Sequence, residues 1–366
     1  MQRRKWFTPT TVTVAVCLFY AATVLLSAGG DPMAFVLLGT RFSQADPQGT
    51  EGYDGQFAYQ IAIDPAEAAP YIDVPAYRYQ RILYPALARI LGFGQPDLIP
   101  WTLILANILA IGLGTWATEQ LLLNERVSRW YALPYGLYGG QLLALRTDLN
   151  EPLAQAFVQL AMLAWVRDRR VWTVIAFGLA VLAKETTLIF LAAYMLFTLK
   201  ERQWRWTVGL GLGLVPFVLY QLILRVWLGS FGVGSGGAGA TPFSLVPLGG
   251  WLAIAEVSFR AFLLISIVVV PMSILTSITG VVLSGRSLRH GVSHPYIFSL
   301  LLNSLVILFL PSSTFREPVA MLRLTQGLMV SLLLYGGLVR SRRILNYSTF
   351  WIATNVLLIG GIAGPG

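Results

Sequence analysis

The chain is predicted to be an all-α polytopic membrane protein with about eleven transmembrane helices. Three observations lead there. Of 366 residues, 56% are apolar and only 12% charged, against about 25% charged in an ordinary soluble domain. Apolar runs of spanning length recur from one end to the other. Between them, clusters of basic residues alternate with loops of mixed charge, the asymmetry that sets membrane orientation. The net charge of +9 is therefore a topology signal, and no nucleic-acid partner is expected. The single cysteine, Cys17, lies in an apolar run and carries no redox information.

At the N-terminus, Gln2-Arg3-Arg4-Lys5 precedes an apolar run over about 11–28, read as a first span rather than a cleaved signal. In either case the next segment is exported. Residues 30–98 form a large polar loop. Further apolar segments lie at about 99–122, 129–145, 151–166, 171–183, 187–199, 206–228, 258–284, 295–311, 318–339 and 348–364. The whole chain, 1–366, reads as one integral membrane domain.

With a cytoplasmic N-terminus, the inner loops carry Arg126 and Arg129, then Arg167, Arg169 and Arg170, then Lys200, Arg202 and Arg205. Arg286 with Arg289, and Arg340 with Arg342 and Arg343, complete the pattern. The same orientation puts Glu51, Asp54, Asp148, Glu151, Glu185 and Glu317 on the outer face, together with Arg78, Arg81, Arg146, Lys184 and Arg316. Unrelated loop charges would scatter over both faces; these converge on one. The expected location is the plasma (inner) membrane, with lipid around the spans and the site outside the cytoplasm.

Segments 171–183 and 187–199 are too short for separate crossings. Thirteen residues reach about 20 Å against a hydrocarbon core of about 30 Å. Basic loops flank the pair on both sides, so it should be a hairpin turning at Lys184-Glu185, recessed below the outer surface. Ionisable groups at such depth should line a cavity. The rival is one long helix with a buried Lys184–Glu185 pair. Residues 229–250 are glycine-rich. Gly232, Gly234 and Gly237 match G-x-G-x-x-G formally, but no strand precedes them. The stretch reads as a flexible outer loop that can act as a lid.

Chemistry concentrates in a few stretches. In Glu51-Gly-Tyr-Asp-Gly-Gln-Phe-Ala-Tyr-Gln60, a helix from Tyr53 puts Tyr53, Phe57 and Ile61 on one stripe with Asp54 at its edge. A carboxylate on an apolar rim is expected to have raised proton affinity and to serve as general base. The bland reading is an acid at a helix N-terminus. Along Tyr77–Pro85, one helix would align Arg78, Arg81 and Arg89, either to grip phosphate or to snorkel toward lipid headgroups. Asp148…Glu151-Pro152 has the spacing of a capping box as well as of a site. Glu317 and Arg323 add outer charges beside Arg316. His290 and His294 share a basic loop without acidic companions, and neither a metal nor another cofactor is expected.

The Tyr-Asp-Gly-Gln-Phe-x-Tyr-x-Ile-Ala stretch from Tyr53 and the Tyr-Arg-Tyr-Gln-Arg-Ile-Leu-Tyr-Pro stretch from Tyr77 resemble bacterial membrane proteins tied to cell-surface glycopolymer formation. More loosely, the pattern is similar to polyprenyl-phosphate-sugar-dependent glycosyltransferases of the GT-C fold, including glycolipid-anchor mannosyltransferases. This chain has Gln56-Phe57 where those carry His-Phe. The resemblance implies an inverting hexosyltransferase with a polyprenyl-phosphate-linked sugar as donor and a glycan or lipid as acceptor. It implies Asp54 as catalytic acid residue of the first loop, helped or replaced by Glu51. Arg78, Arg81, Lys184 and Arg316 would hold the donor phosphate, with Asp148, Glu151, Glu185, Glu317 and Arg323 in support. A transporter or flippase of a lipid-linked glycan is the alternative, and a non-catalytic scaffold of a polymer assembly a third.

Overall fold

The computed structural model describes residues 7–359. Helix is the only regular secondary structure among them, and they contain no strand. The first helix, α1 (Pro9–Ser27), starts where Thr8 and Thr11 cap each other's backbone N–H groups and Pro9 occupies the first turn. It packs into the body: the Thr10 N–H and hydroxyl both donate to the Glu119 carboxylate, at 2.6 and 2.5 Å. The first loop then folds into short helices, of which α2 (Gly55–Ile63), α3 (Pro75–Tyr79) and α4 (Leu83–Leu91) carry the site. After them runs α5 (Pro96–Asn124).

Length and composition make four helices able to cross a membrane: α1, α5, Trp204–Leu228 and Phe259–Arg289. Pro318–Leu324 and Gln326–Leu338 make a fifth if taken together, bent by 46° at Thr325. Their exposed faces have the composition of a lipid-facing surface. On α5, Leu105, Leu109, Leu113 and Trp116 form an exposed stripe, whereas Asn107, Thr115 and Thr118 are buried. Apolar side chains outside and polar ones inside reverse the soluble pattern.

Other predicted spans take different forms. Residues 129–145 are three short pieces, Arg129–Ala132, Leu133–Gly136 and Gly139–Arg146, in place of one helix. Pro134 and the Gly139-Gly140 pair interrupt the helical hydrogen bonding there. The last segment is a 3₁₀ stretch, Phe350–Asn355, followed by Val356–Ile359, and the rest of the predicted span lies outside the described residues.

The short hairpin is present. Helices α6 (Glu151–Val166), α7 (Arg170–Ala183) and α8 (Leu188–Lys200) come one after another. Lys184 is extended (φ −161°, ψ 125°), and Glu185–Thr187 is a 3₁₀ turn. Phe177 and Tyr194 then meet edge to face, 5.0 Å between ring centroids. A continuous helix would separate these two residues by about 25 Å, so the chain reverses at Lys184. At the other end, the Arg170 guanidinium lies 5.8 Å from the Trp206 ring.

Candidate functional site

A cavity of about 770 Å³ opens where the first loop, the Lys184 turn, the glycine-rich loop and residues 313–324 meet. Its first-loop wall is built around two glycines. Gly52 has φ +68°, and a Cβ there would collide with the backbone of Gly39 and Leu37. Gly55 packs so closely on the turn after Arg146 that a methyl would overlap the Thr147 carbonyl. Gln56 fixes the loop between them. Its amide donates to the Glu51 carbonyl at 2.7 Å, and its side-chain oxygen accepts from the Gly39 N–H at 3.1 Å.

Asp54 stands at the start of α2, but its side chain makes no capping hydrogen bond. It faces two arginines instead: Arg323 Nη1 is 2.6 Å from Oδ2, and Arg78 Nη2 is 3.1 Å from Oδ1. This reverses the expected electrostatics. Burial pushes the Asp54 carboxyl upward, but Arg323 and Arg78 outweigh burial and hold it well below the usual carboxylate range. The raised proton affinity expected from an apolar rim is absent because two guanidinium groups occupy the site.

Each cation also has a carboxylate behind it. Arg78 is gripped by Asp73 through Nε and Nη2, at 2.8 and 2.7 Å, and stacks on Phe57 at 4.4 Å. Arg81 makes a forked pair with Glu185, at 2.8 and 2.6 Å. Lys184 Nζ and Arg323 Nε both reach Glu151 Oε1 at 2.5 Å. Lys184 therefore pairs with Glu151 rather than with its neighbour Glu185. Glu151 makes no capping box; Asn150 occupies the N-cap, without a side-chain cap.

The remaining predicted residues are spread around this centre. Glu51 is on the exposed rim, bonded to Arg41 at 2.5 Å. Glu317 lines the cavity, but Arg316 is exposed and does not. Arg323, expected only in support, is central. Asp148 lies behind the site, fully buried at φ +48°. It lines a small cavity of about 30 Å³ beside Tyr84, and the wall of that cavity also includes Asp54, Arg78, Arg81 and Arg323. Burial pushes its carboxyl well above the usual range, with Arg146 offsetting part of that. Arg89 is not aligned with Arg78 and Arg81: it donates to the carbonyls of Ala62 and Ile63, at the end of α2.

Sequence reasoning missed Asp73. The available signal was an acid five residues before Arg78, at the entry to a Pro-initiated helix. The glycine-rich loop forms part of the cavity wall. Gly232 and Val233 N–H groups donate to Gln221, and the Ala238 N–H donates to Asp73 Oδ2 at 3.3 Å. Gly237 and Ala238 line the cavity. Among the described residues, no group of three or more His, Cys, Asp and Glu side chains is arranged to hold a metal. Comparison with family models, with curated proteins and with solved structures gives no match.

Proposed function

We propose that the chain is a membrane glycosyltransferase that moves a sugar from a polyprenyl-phosphate donor to an acceptor outside the cytoplasm, in cell-surface glycan assembly. The observation that carries this reading is the convergence of Asp54 with Arg78, Arg81, Lys184 and Arg323 on one cavity among apolar helices. A phosphate leaving group needs cations near the oxygen that gains charge, and an attacking hydroxyl needs a proton acceptor. In this reading, the short and broken helices count with the long ones as about eleven crossings, a GT-C-like layout, with the cavity facing out.

The reaction would be an inverting displacement. The acceptor hydroxyl attacks the anomeric carbon and passes its proton to Asp54. The bond from that carbon to the phosphate oxygen breaks, and its electron pair stays with the polyprenyl phosphate beside the guanidinium groups. Arg323 takes the phosphate role first given to Arg316, because Arg316 is exposed outside the cavity. Glu51 sits at the rim, where it can orient an acceptor.

The test is transfer from polyprenyl-phosphate sugars by purified protein. Asp54→Asn keeps size and loses the proton acceptor, so turnover should fall by roughly 10²–10⁴ in protein that remains folded. Near-normal turnover in Asp54→Asn, with loss in Glu51→Gln, would move the base to Glu51. No transfer from any polyprenyl-phosphate sugar would remove the enzyme reading.

A further inference from the structure

Four cations and four carboxylates form the inner network: Arg78, Arg81, Lys184 and Arg323 with Asp54, Asp73, Glu151 and Glu185. The carboxylates are not equivalent. Asp73 and Glu151 are the inner partners of Arg78 and Arg323, with side chains 4% and 2% exposed. Asp54 is the outer partner of the same two arginines, and its side chain is 30% exposed. Its two oxygens divide between them, Oδ1 to Arg78 and Oδ2 to Arg323. Two guanidinium groups held from behind meet at one point in front, Arg323 donating to Asp54 through Nη1 and Arg78 in ion-pair contact with it through Nη2, and so make an anion seat. In the structure an internal carboxylate fills it.

We infer that the bridge between Arg78 and Arg323 is the binding seat for a phosphate group, and that Asp54 occupies it in the resting protein and is displaced when phosphate binds. This rests on the phosphate-donor reading and adds to it a link between donor binding and activation of the base. The charges balance. With Asp54 in place the inner network is neutral. Once Asp54 leaves the seat, the remaining set carries one positive charge, matching the single negative charge of a sugar phosphodiester.

Displacement also changes what Asp54 can do. Between two guanidinium groups it is a poor proton acceptor. Turned toward the cavity, with phosphate neutralising both arginines, it regains basicity when an acceptor has something to attack. Glu151 does not line the cavity, and Asp73, which does, is held by two Arg78 N–H groups and the Ala238 N–H, so neither is placed to exchange in the same way. The backbone on either side of Asp54 is tightly packed at Gly52 and Gly55, so the displacement proposed is one of the Asp54 side chain, which is 30% exposed.

The test is isothermal titration calorimetry of purified wild type, Asp54→Asn, Asp54→Ala and Asp54→Glu with inorganic phosphate and with hexyl phosphate, alongside thermal stability. Removing the internal competitor should tighten binding of the phosphate probe by roughly ten- to a hundredfold, the scale of one charge-assisted hydrogen bond. Asp54→Glu keeps the charge and should bind like the wild type. Tightening toward both probes supports a seat that reads phosphate alone. Tightening confined to hexyl phosphate supports one that also reads the attached chain. Unchanged or weaker binding in folded Asp54→Asn and Asp54→Ala overturns the seat, and leaves the glycosyltransferase reading to the transfer assay. Equal tightening in Asp54→Glu overturns it too. Failure of every variant to bind either probe overturns the seat and counts against a phosphate-linked donor.

Discussion

Lys184→Met separates the two possible partners of this lysine. The side chains of Lys184 and Glu151 are 6% and 2% exposed and 2.5 Å apart, and Glu185 is committed to Arg81. Breaking a buried pair by removing one member destabilises by about 3–5 kcal/mol. Lys184→Met should fall at the low end, about 3 kcal/mol, because Arg323 still neutralises Glu151. Glu151→Gln should fall at the high end, about 5 kcal/mol, because it strands Lys184 and unpairs Arg323 from its inner partner. The assay is equilibrium unfolding in mixed micelles, arranged as two double-mutant cycles. The cycle with Glu151 should give a coupling of about 1–3 kcal/mol, and the cycle with Glu185, which is bonded to Arg81 but lies in the same charge network, should give a smaller one of about 0.5–1 kcal/mol. A coupling to Glu185 as large as that to Glu151 would refute the pairing and restore the neighbour pair that the sequence suggests.

Three further outcomes are expected. The Asp54 carboxyl lies below its ordinary value of 3.8 in the folded protein, so its stabilising effect is fully present above that value and is lost as pH falls through the depressed one. Thermal unfolding of wild type and Asp54→Asn should therefore differ by a constant amount from pH 7 to about 5 and converge in stronger acid; a difference that grows on acidification would contradict the arginine pairing. Gly55→Ala would raise helix propensity on an open helix, yet here it should destabilise by about 1–3 kcal/mol through overlap with the Thr147 carbonyl, read as a drop in unfolding midpoint. A reporter fused after Gly236 should be exported and one after Arg286 cytoplasmic, as the basic loops require; the opposite result at either position would break the one-face argument.

What the sequence made legible was whatever depends on water. Loop charges must remain solvated, so the basic clusters mark connections, and the two short segments around Lys184-Glu185 mark a turn whose reversal the Phe177–Tyr194 contact bears out. The long spans at α1, α5, 204–228 and 259–289 were legible for the same reason. Helix continuity was less so. Treating Tyr77–Pro85 as one helix put Arg89 beside Arg78 and Arg81. Pro85 lacks an N–H and its ring opposes the carbonyl of Arg81, four residues back, so the helix breaks there and α4 starts afresh.

Pairing was not legible at all, because partners are distant in the chain. Lys184 reaches back 33 residues to Glu151, Arg81 reaches 104 to Glu185, and Arg323 reaches 269 to Asp54. Sequence proximity favoured Lys184 with Glu185 and a capping role for Asp54 and Glu151. A backbone N–H at a helix start is a neutral donor in competition with water. A guanidinium offers a charge-assisted bond about twice as strong in a fixed fork. Once the fold brings Arg78 and Arg323 to the start of α2, Asp54 turns to them and leaves the helix end uncapped. The same preference explains why the acid did not acquire the raised proton affinity that an apolar rim would give it. A carboxylate held between two guanidinium groups is a weak proton acceptor, and the part of Asp54 that stays exposed lines the cavity.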